Sequence, residues 1–184
     1  ELSESSESAE QMASVVIEEP GLCRRYTARV IKGLKVGPSP EWMSRRLEAL
    51  GIRSVNNIVD ATNYAMIETG QPPHAFDYDR IPAGKLTVRK AVKGERLVSI
   101  DHTDCELDEN MLVIADEKRP VAVAGVMGGV DTEVSEQTKS ILLEDAFFDP
   151  VAVRTASRGL GLMSESSYRF ERIVNIENIE WASK

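Results

Sequence analysis

Two adjacent carboxylates stand inside an otherwise apolar run, Ile141-Leu142-Leu143-Glu144-Asp145-Ala146-Phe147-Phe148. If the run is a strand, successive side chains point to opposite faces, so Glu144 shares a face with Leu142, Ala146 and Phe148 and Asp145 takes the other. One carboxylate must therefore meet an apolar face. A buried carboxylate needs a partner, which here is either a structural ion pair or a polar group brought by a ligand. A second candidate is Gly125-Val126-Met127-Gly128-Gly129, which follows a buried apolar strand. It lacks the G-x-G-x-x-G spacing and the immediate helix of a dinucleotide site. It reads either as a tight turn that needs positive φ or as a wall without side chains, where a ligand can approach backbone N–H groups. Thr62-Asn63-Tyr64 and His74 complete the set. His74 and Asp77 could ligate a metal, but no third ligand is apparent, and no metal site is expected. No Gly-x-Ser-x-Gly elbow and no Ser/His/Asp set is visible, so nothing supports a covalent mechanism.

These residues need elements to hold them. Ser39-Pro40-Glu41 predicts a helix start, with Ser39 as N-cap and Pro40 at the first helical position. Met43, Leu47 and Leu50 form its apolar stripe, and Gly51 ends it. A second helix is expected from about Val55 to Thr69, ending at Gly70, and carries Thr62 and Asn63. Gln71-Pro72-Pro73-His74 is then a non-helical loop, because prolines forbid continuation; a lone histidine in a loop ordinarily faces solvent or caps a helix. Strands are expected at Tyr26–Ile31, Leu86–Val92, Met111–Ala115, Val121–Ala124 and Ile141–Phe148. The third and fourth are continuously apolar and fit a sheet covered on both faces. Asp149-Pro150 opens a helix to about Arg158, and another begins near Ser164. Strands clustered between helical ends predict an α+β fold, with no internal repeat.

Composition bounds the rest. The chain has 184 residues, 42% hydrophobic and 28% charged. That suits one domain, or two small and closely packed ones. No apolar run approaches the roughly 20 residues of a membrane span, and Glu1–Glu7 lacks the features of a signal peptide; a cytoplasmic location is expected. Residues 1–14, rich in Ser and Glu, read as a disordered linker. Residues Ile173 to Trp181 read as helical, with 176–184 the start of a helix cut short; together the ends suggest a piece of a longer polypeptide. Cys23 and Cys105 fit neither a disulfide framework nor a C-x-x-C site and read as small packing residues. The net charge is −8, with 30 acidic against 22 basic residues. Proteins that grip long stretches of nucleic-acid backbone carry a basic face, so any RNA contact here is expected to involve only an end.

A resemblance adds to this reading. Val36-Gly37-Pro38-Ser39-Pro40-Glu41-Trp42, Asn57-Ile58-Val59-Asp60-Ala61-Thr62-Asn63-Tyr64, Gly70-Gln71-Pro72-Pro73-His74-Ala75-Phe76-Asp77, Ala124-Gly125-Val126-Met127-Gly128-Gly129 and Ser167-Tyr168-Arg169-Phe170-Glu171-Arg172 stand in the order and approximate spacing of the editing domain of the bacterial phenylalanyl-tRNA synthetase β subunit. The resemblance covers about Cys23 to Asn175. It implies one compact α+β editing domain over 15–175, with mixed β-sheets flanked by helices in two interleaved modules, and a pocket separate from the synthetic site. It implies hydrolysis of the tyrosine ester on tRNA for phenylalanine. Position by position, the pocket falls on Thr62, Asn63, His74, Gly128, Glu144, Ser164 and Ser166. Glu144 and the Gly128 N–H would recognise the tyrosine hydroxyl. His74, with Thr62 and Asn63, would lie beside the ester and the attacking water, and Ser164 and Ser166 would line the wall.

The implied partners are the aminoacylated 3′ end of the tRNA, the α subunit of an α2β2 tetramer and the rest of the β subunit. ATP and Mg2+ would serve the whole enzyme elsewhere, with no cofactor in this domain. Three positions depart from the family pattern: Ser164 and Ser166 stand where Thr and Ala are expected, and Ile173 where a glycine usually follows Phe-Glu-Arg. A non-catalytic pocket for an aminoacyl group or RNA end, or a purely structural module without a pocket beside Gly128, are the alternatives.

Overall fold

The computed structural model describes residues 6–184. Ten strands and six helices are ordered α1 (Ala9–Met12), β1 (Ser14–Ile17), β2 (Cys23–Lys32), α2 (Glu41–Ala49), α3 (Asn57–Thr69), β3 (His74–Asp77), β4 (Lys85–Lys90), β5 (Arg96–Val98), β6 (Asp104–Glu106), β7 (Leu112–Ala115), β8 (Pro120–Val123), β9 (Met127–Gly128), β10 (Ser140–Phe148), α4 (Pro150–Leu160), α5 (Glu165–Phe170) and α6 (Ile179–Ala182). The fold is α+β. One sheet runs β1-β4-β7-β8-β9, with β1 and β4 parallel and the other pairs antiparallel. A second, antiparallel sheet runs β2-β10-β3, and β5 pairs with β6. The chain leaves the first sheet after β1, builds β2 and β3 of the second, returns for β4 and β7–β9, and closes the second sheet with β10. The sheets are thus interleaved in sequence.

The apolar pattern accounts for the layers. All four residues of β7 and all four of β8 are buried, as their unbroken apolar runs require. β10 is the central strand of its sheet and is buried on both faces, with Leu142 and Ala146 on one side and Ile141 and Phe147 on the other. Cys23 and Cys105 are free and buried in the core.

Several local expectations change. Ser39 does not cap α2; Pro40 occupies that position without a side-chain bond. Ser39 Oγ donates instead to Asp60 Oδ2 at 2.5 Å, and Ser54 Oγ donates to the same oxygen at 2.5 Å. Asp60 Oδ1 accepts from Val55 N at 2.9 Å, so this fully buried carboxylate is satisfied by the segments on either side of α2. Asn56, not Val55, starts α3, by accepting from Ile58 N and Val59 N, and Gly70 ends it at φ 75.

Within the segment read as a linker, residues 1–5 lie outside the described residues, but Ala9–Met12 form a helical turn. Tyr78 Oη fixes that turn by donating to Met12 O at 2.6 Å. The tail also differs from a continuous helix. α5 stops at Phe170, Ile173 adopts φ 70, and a 3-10 turn over Ile176–Asn178 leads into α6, whose Ile179 is fully buried. The left-handed backbone at Ile173 is the reason: a helix cannot pass through it, and a β-branched residue there is strained.

Candidate functional site

A cavity of about 510 Å³ opens between the two sheets, α3 and the start of α5, and Thr62, Asn63, His74, Gly128, Glu144, Ser164 and Ser166 all line it. Sheet register explains the central cluster. β3 pairs with β10 so that His74 lies opposite Glu144, and directly paired residues share a face. His74 is therefore on an edge strand, not in a loop: the chain extends immediately after Pro73, and β10 accepts it as a neighbour. The ring is partly buried rather than solvent-facing. It packs edge-on to Phe76, with centroids 4.4 Å apart.

On its other side the ring lies against Gly128, where an added Cβ would stand 2.5 Å from His74 Cε1 and 2.8 Å from Nε2. Gly128 is held in place by strand pairing to Ala122 and by its carbonyl, which accepts from Ile100 N at 3.0 Å. The turn reading of the glycine-rich run holds at Gly125, at φ 70, and Gly128 needs the absence of a side chain, which lets the His74 ring pack against the backbone. A structural module with no pocket beside Gly128 does not fit this arrangement.

Glu144 is buried, with 5% of its surface exposed. The structural ion pair considered for it is not formed among the described residues. Its partner is instead the Tyr26 hydroxyl, which donates to Oε2 at 2.6 Å. Tyr26 sits opposite Ala146 on β2, one pleat along on the same face. Sequence reading missed it: its only signal was strand alternation, and nothing in the sequence fixed the register between strands 118 residues apart. Burial pushes the Glu144 carboxyl up to about 8; the Tyr26 hydrogen bond opposes that, and nearby Asp145 adds to it. The group in the cavity is thus largely a neutral carboxylic acid at pH 7, able both to donate and to accept. Asp145 faces the opposite side of β10 and is fully buried, with neither oxygen hydrogen-bonded. Burial raises it to about 7 despite Arg29 nearby.

His74 moves the other way. Desolvation lowers it to about 4, so the ring is neutral at physiological pH. Neither ring nitrogen is hydrogen-bonded among the described residues, which leaves one donor and one acceptor for a ligand or water. On α3, Thr62 Oγ1 donates to Val59 O at 2.8 Å and offers the cavity only its lone pairs. The Asn63 amide has no hydrogen-bond partner among the described residues.

The two serines differ. Ser164 Oγ accepts from Ser167 N at 2.9 Å and donates to Val126 O at 2.7 Å, fastening α5 to the turn after β8. It shapes the wall, but its hydroxyl is committed. Ser166 Oγ makes only a 4.0 Å contact to Met66 Sδ. Asp77 is structural: Oδ2 accepts from Thr138 Oγ1 at 2.7 Å and lies 3.5 Å from Arg80 Nε. Among the described residues no group of three or more His, Cys, Asp or Glu could hold a metal ion. No helix among them is long and apolar enough to cross a membrane.

An apolar slot ending in a buried carboxyl, with a neutral imidazole and a free amide beside it, can bind a ring that carries a hydroxyl and place a water against a group attached to it. Comparison with known proteins gives the family. The family model of the B3/4 domain matches residues 22–184. The chain is 54% identical over 166 residues to the phenylalanine–tRNA ligase beta subunit of Moorella thermoacetica, an alignment covering 90% of this chain and 21% of that protein. It is 50% identical over 184 residues to the corresponding subunit of Rhodopirellula baltica, covering 100% of this chain and 27% of that protein. The chain thus spans about a fifth to a quarter of the length of these relatives. A crystal structure of an N-terminal fragment of the phenylalanyl-tRNA synthetase beta subunit from Pyrococcus horikoshii shares the fold, with a TM-score of 0.51 at 13% identity over 83% of this chain and 51% of that one.

Proposed function

The chain belongs to the B3/4 domain family, and from that premise we propose that its cavity edits aminoacyl-tRNA, hydrolysing tyrosine wrongly esterified to tRNA for phenylalanine, as part of a phenylalanine–tRNA ligase β subunit. The observation that carries the reading is Glu144: a buried carboxyl in an apolar cavity, paired to Tyr26 through one oxygen only, across the sheet from the unpartnered ring of His74. Phenylalanine and tyrosine differ by one hydroxyl. An apolar pocket cannot strongly reject an added hydroxyl, but a buried hydrogen-bonding group discriminates against the ligand that lacks it, because that group is then left unpaired.

The hydrolytic step needs little more than positioning. An aminoacyl ester is already activated, so a water held in line, with some stabilisation of the developing oxyanion, suffices without a covalent nucleophile. His74, neutral and with a free lone pair, accepts a hydrogen bond from that water. Its low basicity suits positioning better than outright proton abstraction. Asn63 supplies N–H donors toward the ester oxygen, and Thr62 an acceptor for the water. Ser164 and Ser166 bound the space available to the amino acid, and the Gly128 backbone approaches the substrate without a side chain in the way. Only the aminoacylated 3′ end enters, which a domain of net charge −8 tolerates. The remaining tRNA contacts, the α subunit of the α2β2 enzyme and the synthetic chemistry with ATP and Mg2+ lie outside this domain, in the cytoplasm.

The weak basicity of His74 also favours a second reading, in which the pocket binds the tyrosyl end without turning it over. Deacylation of preformed tyrosyl-tRNA and phenylalanyl-tRNA by this chain, compared with binding of the same species, separates the two. Editing predicts release of tyrosine with phenylalanyl-tRNA spared. Binding without release leaves the non-catalytic reading, and neither binding nor release overturns both.

A further inference from the structure

The cavity lining contains four acidic side chains and no lysine or arginine. Besides Glu144 these are Asp101, Glu133 and Glu165, and two of the three are already engaged. Asp101 Oδ1 accepts from Ser99 Oγ and from Thr103 N. Glu165 Oε2 pairs with Arg169 Nη1 at 2.7 Å. Glu133 is different. It is exposed and caps the 3-10 turn Val130–Thr132, and its carboxylate makes no hydrogen bond or ion pair among the described residues. Glu133 lines the same cavity as His74, and the next residue, Val134, is buried with Ala75, which follows His74 on β3.

The editing reading, on which this inference rests, fixes the orientation of the substrate. The ring hydroxyl goes in to buried Glu144, and the ester stays beside the less buried His74. The α-amino group is carried by the carbon next to the ester carbonyl, so it lies on the same outer side. We propose that Glu133 holds the α-ammonium of the bound aminoacyl ester, and that the acid-lined, cation-free cavity thereby selects the esterified amino acid over the free one. An aminoacyl ester carries a positive ammonium and no carboxylate. Hydrolysis adds water across the ester bond, returns the tRNA hydroxyl and creates a carboxylate on the amino acid. That new negative charge meets Asp101 and Glu133, with no lysine or arginine in the lining, so the product is held more weakly than the substrate and leaves.

The test uses three small probes on the 184-residue chain and on Glu133→Gln: tyrosinamide, which is cationic like the ester; N-acetyltyrosinamide, which is neutral; and free tyrosine. Dissociation constants from NMR titration are compared. The wild-type chain is expected to bind tyrosinamide about 5-fold more tightly than N-acetyltyrosinamide, the scale of one partly solvated ion pair, and free tyrosine more weakly than tyrosinamide. Glu133→Gln should bring tyrosinamide and N-acetyltyrosinamide within about 2-fold of each other while leaving N-acetyltyrosinamide affinity and the melting temperature unchanged. An undiminished preference for the cation in Glu133→Gln overturns the role of Glu133, as does equal binding of the two probes by the wild type. Tyrosinamide that fails to bind the wild-type chain at all overturns the inference. If tyrosyl-tRNA is still deacylated in that case, the editing reading survives without it.

Discussion

Glu144 and Asp145 make the domain's stability fall as pH rises through neutrality. Each is an acid whose folded-state value lies above its ordinary one: about 8 against 4.5 for Glu144, and about 7 against 3.8 for Asp145. The folded state therefore holds protons that the unfolded state has already released. Stability from this source is complete below the unfolded values and is lost as pH climbs to the folded ones. His74 has the opposite sign: lowered from 6.5 to about 4, it gives stability that grows between those two values and is flat above them. Above pH 6.5 little of the His74 gain remains, and the two acids supply most of the slope. Integrating the linkage from pH 6.5 to 8 gives a combined loss of about 2 kcal/mol, the larger share from Glu144. Urea denaturation at the two pH values measures this directly. The wild-type chain should lose about 2 kcal/mol over the interval, and Glu144→Gln, which removes the larger titration, should lose less than about 1 kcal/mol. An undiminished loss in Glu144→Gln, or a wild-type stability that rises with pH, refutes the protonated carboxyl on which the picture of the site depends.

Other consequences are equally direct. His74→Ala should slow tyrosyl-tRNA deacylation by roughly 10-fold or more, the range of a lost water-positioning or acid/base group, and the wild-type rate should show no histidine inflection between pH 5.5 and 8, because the ring titrates near 4. Gly128→Ala places a Cβ 2.5 Å from His74 Cε1 and should displace the ring, lowering deacylation about as much as His74→Ala while the chain still melts cooperatively. Ile173→Gly should stabilise the domain by about 1 kcal/mol in thermal or urea unfolding, since it relieves a β-branched side chain at φ 70 that is 69% exposed and so has little burial to lose; an unchanged or lower stability would mean the backbone there is not strained.

Much of the architecture was legible because periodicity and punctuation are local. Unbroken apolar runs marked β7 and β8, Asp149-Pro150 marked α4, and Gly70 marked the end of α3. Ser39 was misread because a cap and a bond to a distant carboxylate look alike in sequence: Asp60, 21 residues away, claims the hydroxyl. His74 was misread because two prolines exclude a helix but not a strand, and only pairing with β10 extends the chain there. The glycine expected at 173 was an informative departure, since Ile173 takes the left-handed backbone itself. The residues that gather at the cavity were named from family resemblance. Their protonation was not legible, because it depends on burial on both faces of β10 and on Tyr26 reaching Glu144, and both are products of packing.

The account stands most directly on the ratio of deacylation rates for tyrosyl-tRNA and phenylalanyl-tRNA, measured for the wild-type chain and for Glu144→Ala with the melting temperature recorded alongside. A hydrogen bond to a neutral buried carboxyl contributes about 0.5–1.5 kcal/mol, so Glu144→Ala should lower the tyrosine rate by roughly 2- to 13-fold. It should leave phenylalanyl-tRNA hydrolysis unchanged or faster, with the fold retained. Equal loss on both esters together with a large fall in melting temperature would make Glu144 a structural group and contradict its role as the reader of the tyrosine hydroxyl.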